Sequence, residues 1–151
     1  MQTNFVKCDL NVSMKFWSAG AMMQRQERLI LSLQKVSLME ILSDPISREV
    51  LAEYASHTYV DMVKAVADID NCQLAIDAEL HSDLERLLLE NGSALESLWG
   101  FNLYPQVTGE NFIEFDSPIN IRPRQGNMSH DVEDSKIRKA IRNIVGKFIL
   151  Q

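Results

Sequence analysis

The clearest pattern along the chain is a pair of two-residue alternations. Val63, Ala65, Ala67 and Ile69 take turns with Lys64, Val66 and Asp68. After the turn-prone pair Asp70-Asn71, Cys72, Leu74, Ile76, Ala78 and Leu80 take turns with Gln73, Ala75, Asp77, Glu79 and His81. Successive side chains of a strand point to opposite faces, so each run predicts a strand with one oily and one polar side. The short turn between them predicts an antiparallel hairpin. Leu98 to Tyr104 predicts a further strand, with Trp99, Phe101 and Leu103 on one side. Asn111 to Ile121 predicts another, with Ile113, Phe115, Ile119 and Ile121 on one side and Pro118 marking a bulge or an edge.

Between these runs the period changes to that of a helix. Asp44-Pro45 reads as a cap followed by the first helical position. Ile46, Val50, Leu51 and Tyr54 then share a face, which predicts a helix over 45–58. Ser82-x-x-Glu85 has the form of a capping box, Leu84, Leu87 and Leu88 make an apolar stripe, and Asn91-Gly92 closes that helix. From Ser135, the apolar positions Ile137, Ala140, Ile141, Ile144, Val145, Phe148 and Ile149 are spaced by threes and fours, as in a one-sided helix. Nearer the start, a short helix over 24–35 and a strand over Val36 to Leu42 are expected, whereas residues 1–23 have no period.

From residue 36 the order is β-α-β-β-α-β-β-α. It predicts an α+β fold: an antiparallel sheet of about four strands with helices mainly on one face. The opposite face would be wet and acidic, carrying Asp68, Gln73, Asp77, Glu79, His81, Asn102, Glu114, Asp116, Asn120 and Arg122. Residues 39–151 read as a single domain, and residues 1–38 as an extension, partly mobile or helical.

Charge narrows the function. A net charge of −6 argues against a general nucleic-acid or anionic-membrane binder. The charge is uneven, at +2 over residues 1–43, −12 over 44–119 and +4 over 120–151, so an acidic ligand would seek the last segment. No apolar run approaches the roughly 20 residues of a membrane span. The segment after Lys15 is a poor secretory signal, and a cytoplasmic location is expected. Cys8 and Cys72, without a C-x-x-C pair, read as two reduced thiols.

Three groups of residues could carry chemistry. The loop before the last helix holds Arg122, Arg124, Gln125, Gly126, Asn127, Ser129 and His130. Arginine forks suit phosphate or carboxylate, Gly-Asn permits a left-handed turn, and a helix start attracts anions. The competing reading is a connection whose arginines pair with Asp131, Glu133 and Asp134. The second group is Glu79, His81 and Asp83, where a carboxylate beside an imidazole would orient a general base. Glu79 and His81 are expected on one strand face. H-x-D without a second histidine is a weak metal signal, so no metal is assigned, and the capping role of Ser82 and Glu85 is the plainer account. His130 would add a second histidine only if its loop folded back to the strand end. The third group, Lys136, Arg138, Lys139, Arg142 and Lys147, would make a basic stripe for RNA or an acidic protein, or simply a solvated face. There is no G-K-[ST] phosphate loop and no G-x-S-x-G nucleophile.

Several segments occur in a telling order: D-M-V-K-A-V-A-D-I-D at 61–70, E-L-H-S-D-L-E at 79–85, L-L-L-E-N-G-S at 87–93, L-W-G-F-N-L-Y-P at 98–105 and I-N-I-R-P-R-Q-G-N-M-S at 119–129. They resemble a small prokaryotic family known only as a domain of unknown function, over residues 39–150. The family brings no established activity, any cofactor stays unknown, and residues 1–38 lie outside the pattern.

Three functions follow from these residues. The first is a small binding or regulatory domain that holds a phosphate-bearing or acidic partner at the 122–130 loop. The second is a phosphodiester-class hydrolase with His81 as base, Glu79 or Asp83 as orienter or metal ligand, and Arg122 or Arg124 as charge clamp. The third is an interaction domain that forms a homodimer. Whether the chain is an enzyme stays open at this point.

Overall fold

The structure, a computed structural model, describes residues 39–151. The helix expected over 24–35 lies outside them. Ten elements follow: β1 (Glu40–Ile41), β2 (Ile46–Ser47), α1 (Arg48–Thr58), β3 (Val63–Asp68), β4 (Gln73–Ile76), α2 (His81–Glu90), β5 (Leu98–Leu103), β6 (Ile113–Glu114), α3 (Ser135–Phe148) and β7 (Ile149–Leu150). The fold is α+β. Its main sheet is antiparallel and has five strands in the order β1-β4-β3-β5-β6, against the four or so expected. β2 and β7 form a separate parallel pair.

The hairpin is present, with Val66 opposite Ala75 and Asp68 opposite Gln73. Its second strand is shorter than the alternation suggests. β4 stops at Ile76, because Asp77 turns to φ 68° and ends the pleat. Asp44 and Pro45 do not start α1. Ser47 caps it, accepting from Val50 N, because Ile46 and Ser47 are held extended by pairing with β7. The run 111–121 keeps only β6 as strand, and Pro118–Asn120 is a short 3-10 turn.

One apolar face matches the alternation. Val63, Ala65, Ala67, Leu74, Ile76, Trp99, Phe101 and Leu103 are buried against Leu51 and Ala55 of α1 and Ile141, Ile144, Val145 and Phe148 of α3. The other face is not wet. A second core of Val66, Ala75 and Leu98 lies there beneath Leu84 and Leu88 of α2. Two helices therefore cover one side and α2 the other. Asp68, Asp77, His81, Asn102 and Asn120, expected in solvent, are all buried. Glu79, Glu114 and Asp116 remain exposed.

The sheet edge explains Asn120. β6 pairs with β5 only at Asn102 and Leu103, so Gly100 lacks a neighbouring strand on that side. The amide of Asn120 takes its place, accepting from Gly100 N at 2.9 Å and donating to Gly100 O at 2.8 Å. The same chain segment crosses so close that a Cβ on Gly100 would meet Ser117 Oγ at 2.5 Å. Cys72 is not a free thiol, contrary to expectation, and Cys8 lies outside the described residues. No helix among the described residues is long and apolar enough to cross a membrane.

Candidate functional site

Of the residues expected to hold an anion, Arg122, Gln125, Asn127 and Ser129 make side-chain bonds within the fold. Arg122 donates to the carbonyls of Ile119 and Leu95 and to Glu85 Oε1, the last at 2.9 Å. Its guanidinium also lies 5.3 Å from the centre of the Trp99 ring. Gln125 Nε2 donates to Glu96 O at 2.9 Å. Asn127 Nδ2 faces the carbonyls of Asn120, Ser129 and Asp131, while its Oδ1 accepts from Glu133 N. Ser129 Oγ and Met128 N both donate to Glu133 Oε1, which holds that carboxyl below its ordinary value. Gly126 supplies the left-handed turn, at φ 80°. Arg124 is exposed. The helix start that would attract an anion is occupied by Asp134, whose carboxylate accepts from Lys136 N at 2.7 Å. The loop therefore acts as a brace. It ties the sheet edge at Gly100, through Asn120, to α2, through Glu85.

Glu79 and His81 do not share a strand face, as expected of them, because β4 has ended before they are reached. Glu79 is exposed, and its carbonyl accepts from Tyr59. Asp83 pairs with Arg86 at 3.3 Å on the surface of α2. The capping box is not formed either. Leu80 is the cap residue without a side-chain bond, and Glu85 faces Arg122 instead of the helix start.

His81 is the first residue of α2 and only 5% exposed. Its Nε2 lies 2.9 Å from the carbonyl of Phe101. Burial drives its pKa down to about 4, an effect outweighing the Phe101 carbonyl. The ring is therefore neutral near pH 7. The carbonyl demands a proton on Nε2, which leaves Nδ1 as an acceptor.

Beside His81 lies a group of residues that the sequence did not single out as a unit. Asn102 of β5 stands opposite Lys64 on one neighbour and Glu114 on the other. Its Nδ2 donates to Glu114 Oε2 at 2.9 Å, and Tyr104 OH donates to the same oxygen at 2.8 Å. Burial, with the bond to Glu114, pushes the Tyr104 phenol up to about 12, so it stays a donor. Asn102 is 5% exposed, and its Oδ1 has no hydrogen-bond partner among the described residues. Lys64 lies against the Tyr59 ring, 4.8 Å from its centre. The fields of Lys64 and Asp116 both reach His81. Asp116 itself pairs with His130 at 3.1 Å. The alternation of β5 did carry a signal, since it placed Asn102 opposite Trp99, Phe101 and Leu103. What it lacked was the strand register that brings Lys64 and Glu114 alongside.

No group of three or more histidine, cysteine, aspartate or glutamate side chains among the described residues is arranged to hold a metal ion. What the arrangement offers is a buried polar cluster in which the Asn102 amide, whose Oδ1 lacks a well-formed bond among the described residues, lies beside the neutral His81 ring, with Lys64, Glu114 and Tyr104 around them. No curated protein and no solved structure matches the chain. The model of one family does, over residues 40–148, and the motifs that build this cluster and its brace fall inside that span: the chain belongs to the family described as protein of unknown function DUF5674.

Proposed function

We propose that the chain is a small binding domain whose ligand is a polar molecule presenting N–H or O–H donors, held between the start of α2 and the β5–β6 edge. Asn102 carries this reading. The bond from Nδ2 to Glu114 fixes which end of the amide is oxygen. That oxygen is buried without a donor among the described residues, at a cost of about 1–3 kcal/mol for an unmet polar group. Such a cost is tolerable where a bound molecule removes it. His81 Nδ1 supplies a second acceptor, and Lys64 and Glu114 offer charge at the rim. The 122–130 loop supports the site from behind by holding the sheet edge and α2 in place. The hydrolase reading finds less support, because the partners of His81 and Arg122 are other than those it requires.

Amide NMR spectra of the protein titrated with a nucleoside, a simple sugar and inorganic phosphate test this. Saturable shifts at Lys64, His81, Asn102 and Glu114 with a donor-bearing probe are expected, and Asn102→Leu should abolish them while the fold is retained. Shifts confined to Gln125–Ser129 with phosphate would return the site to the loop. Silence with all three probes would mean that Asn102 Oδ1 is met by water alone, and the proposal would fall.

A further inference from the structure

A second opening lies between β6 and the first turns of α3. It is a cavity of about 500 Å³ whose wall includes Glu110, Glu114, Phe115, Asp131, Arg138 and Arg142. This volume suits a small molecule. Both guanidinium groups stand over the Phe115 ring, at 5.1 Å for Arg138 and 5.3 Å for Arg142. They are not equivalent. Arg138 donates to the Asp131 carboxylate and to the carbonyl of Val132. Arg142 is half-buried, and among the described residues it has no carboxylate within 4.0 Å. A partly desolvated guanidinium stacked on a ring beside a second one is a poor resting state for a cation unless an anion shares the pair.

A simple anion is not the best match, however. The same wall carries three carboxylates. Asp131 is taken up by Arg138, and Glu114 receives Tyr104 and Asn102. Glu110 is exposed and belongs to no ion pair among the described residues. Arg142, with no carboxylate partner, and Glu110, with neither a cation nor a neutral donor on it among the described residues, therefore face a single small cavity. We propose that this cavity binds a small zwitterion. Its carboxylate or phosphate end is clamped by Arg142 with Arg138, and its ammonium end is met by Glu110. The site does not depend on the Asn102 cluster, although Glu114 touches both.

The test compares γ-aminobutyrate and phosphoethanolamine with butyrate, ethylamine and inorganic phosphate in amide NMR titrations. Both zwitterions should shift residues 110–115 and 138–142 and saturate at concentrations at least about tenfold below those of the probes that carry charge of one sign only. The stronger of the two identifies the anionic end. Arg142→Gln should weaken zwitterion binding by about tenfold or more, whereas Lys147→Gln, on an exposed residue of the same helix, should leave it unchanged. Since Arg142 packs on Phe115, Glu110→Gln serves as the variant that cannot disturb the core. It should weaken binding of γ-aminobutyrate and leave butyrate as it was. Equal binding of butyrate and γ-aminobutyrate, an unaffected Glu110→Gln variant, or no saturable shift would overturn the proposal. Because the responding residues differ from Lys64, His81 and Asn102, failure here is distinguishable from failure at the Asn102 cluster.

Discussion

Val60 follows the last turn of α1 with φ at 75°, and it is 81% exposed. Its N–H closes the helix by donating to Ala55 O at 2.7 Å. A β-branched residue in the left-handed region carries a steric cost of roughly 1–2 kcal/mol that asparagine largely escapes. Val60→Asn is therefore expected to raise stability by about 1 kcal/mol, seen as a higher urea midpoint with an unchanged slope. A midpoint equal to or below the parent's would show that the conformation is not strained. Gly100 is constrained in the opposite sense. A methyl group there would run into Ser117, which is itself buried, and would pull Asn120 from its two bonds to the strand. Gly100→Ala should cost about 1–3 kcal/mol by the same measurement, as overpacking of a closed site does.

At the scale of elements, the contact that joins α2 to the brace is the Glu85–Arg122 pair. Its side chains are 19% and 10% exposed and 2.9 Å apart. Burial raises the pKa of Glu85 and lowers that of Arg122, in each case against the attraction of the partner. For both groups, then, desolvation exceeds what the partner returns. Such a pair adds little net stability, yet breaking it leaves one buried charge alone. Arg122→Met should cost about 3 kcal/mol, and the double variant Arg122→Met with Glu85→Leu should recover most of that loss. If the double variant were no better than the single one, the carbonyl bonds of Arg122 would be the main contribution. The sequence concealed this arrangement. Period alone located β3, β5 and α3 well, because each buries one complete apolar face. It overran β4, since nothing in the alternation announces that Asp77 adopts a positive φ. It also misjudged the second sheet face. Asp68, Asn102 and Asn120 look like solvent-facing residues in an alternating pattern. In the fold they are buried and bonded: Asp68 to the turn amides of Asp70 and Asn71, Asn120 to a strand, and Asn102 to Glu114. A polar residue that satisfies backbone groups and one that faces water leave the same mark in a hydropathy pattern. The loop residues 122–129 were correctly singled out as dense in donors, but the carbonyls that receive them come from segments up to 29 positions away.

For the molecule as a whole, these buried polar groups set how folding responds to acid. His81 has a pKa near 4 in the folded state against 6.5 for the free imidazole, because burial disfavours its charged form. The unfolded chain thus binds a proton that the native chain refuses. The sign follows from linkage: the contribution of a neutral His81 is complete above pH 6.5 and is lost as pH falls from there through 4. A difference of that size corresponds to about 3 kcal/mol. Asp68 acts in a lower window. Burial alone would raise its pKa, but the bonds from Ser93, Asn71 and Ser97 prevail and hold it below 3.8, so its share is lost only in stronger acid. Glu85 works with the opposite sign, since burial raises its pKa and makes the folded state the better proton acceptor above the ordinary value of 4.5. The parent protein therefore combines all three responses, and a single acid titration cannot separate them. Subtracting a His81→Gln variant does. Glutamine keeps a donor for the Phe101 carbonyl and removes the titration. The difference in unfolding free energy between parent and variant, measured by urea at fixed pH steps, should be flat above pH 6.5 and should shift by about 3 kcal/mol toward the variant as pH falls to 4. A difference that stays constant across that interval would mean that His81 accepts its proton in the native state. Its ring would then titrate as the free imidazole does, and burial would not be what keeps it neutral below pH 6.5.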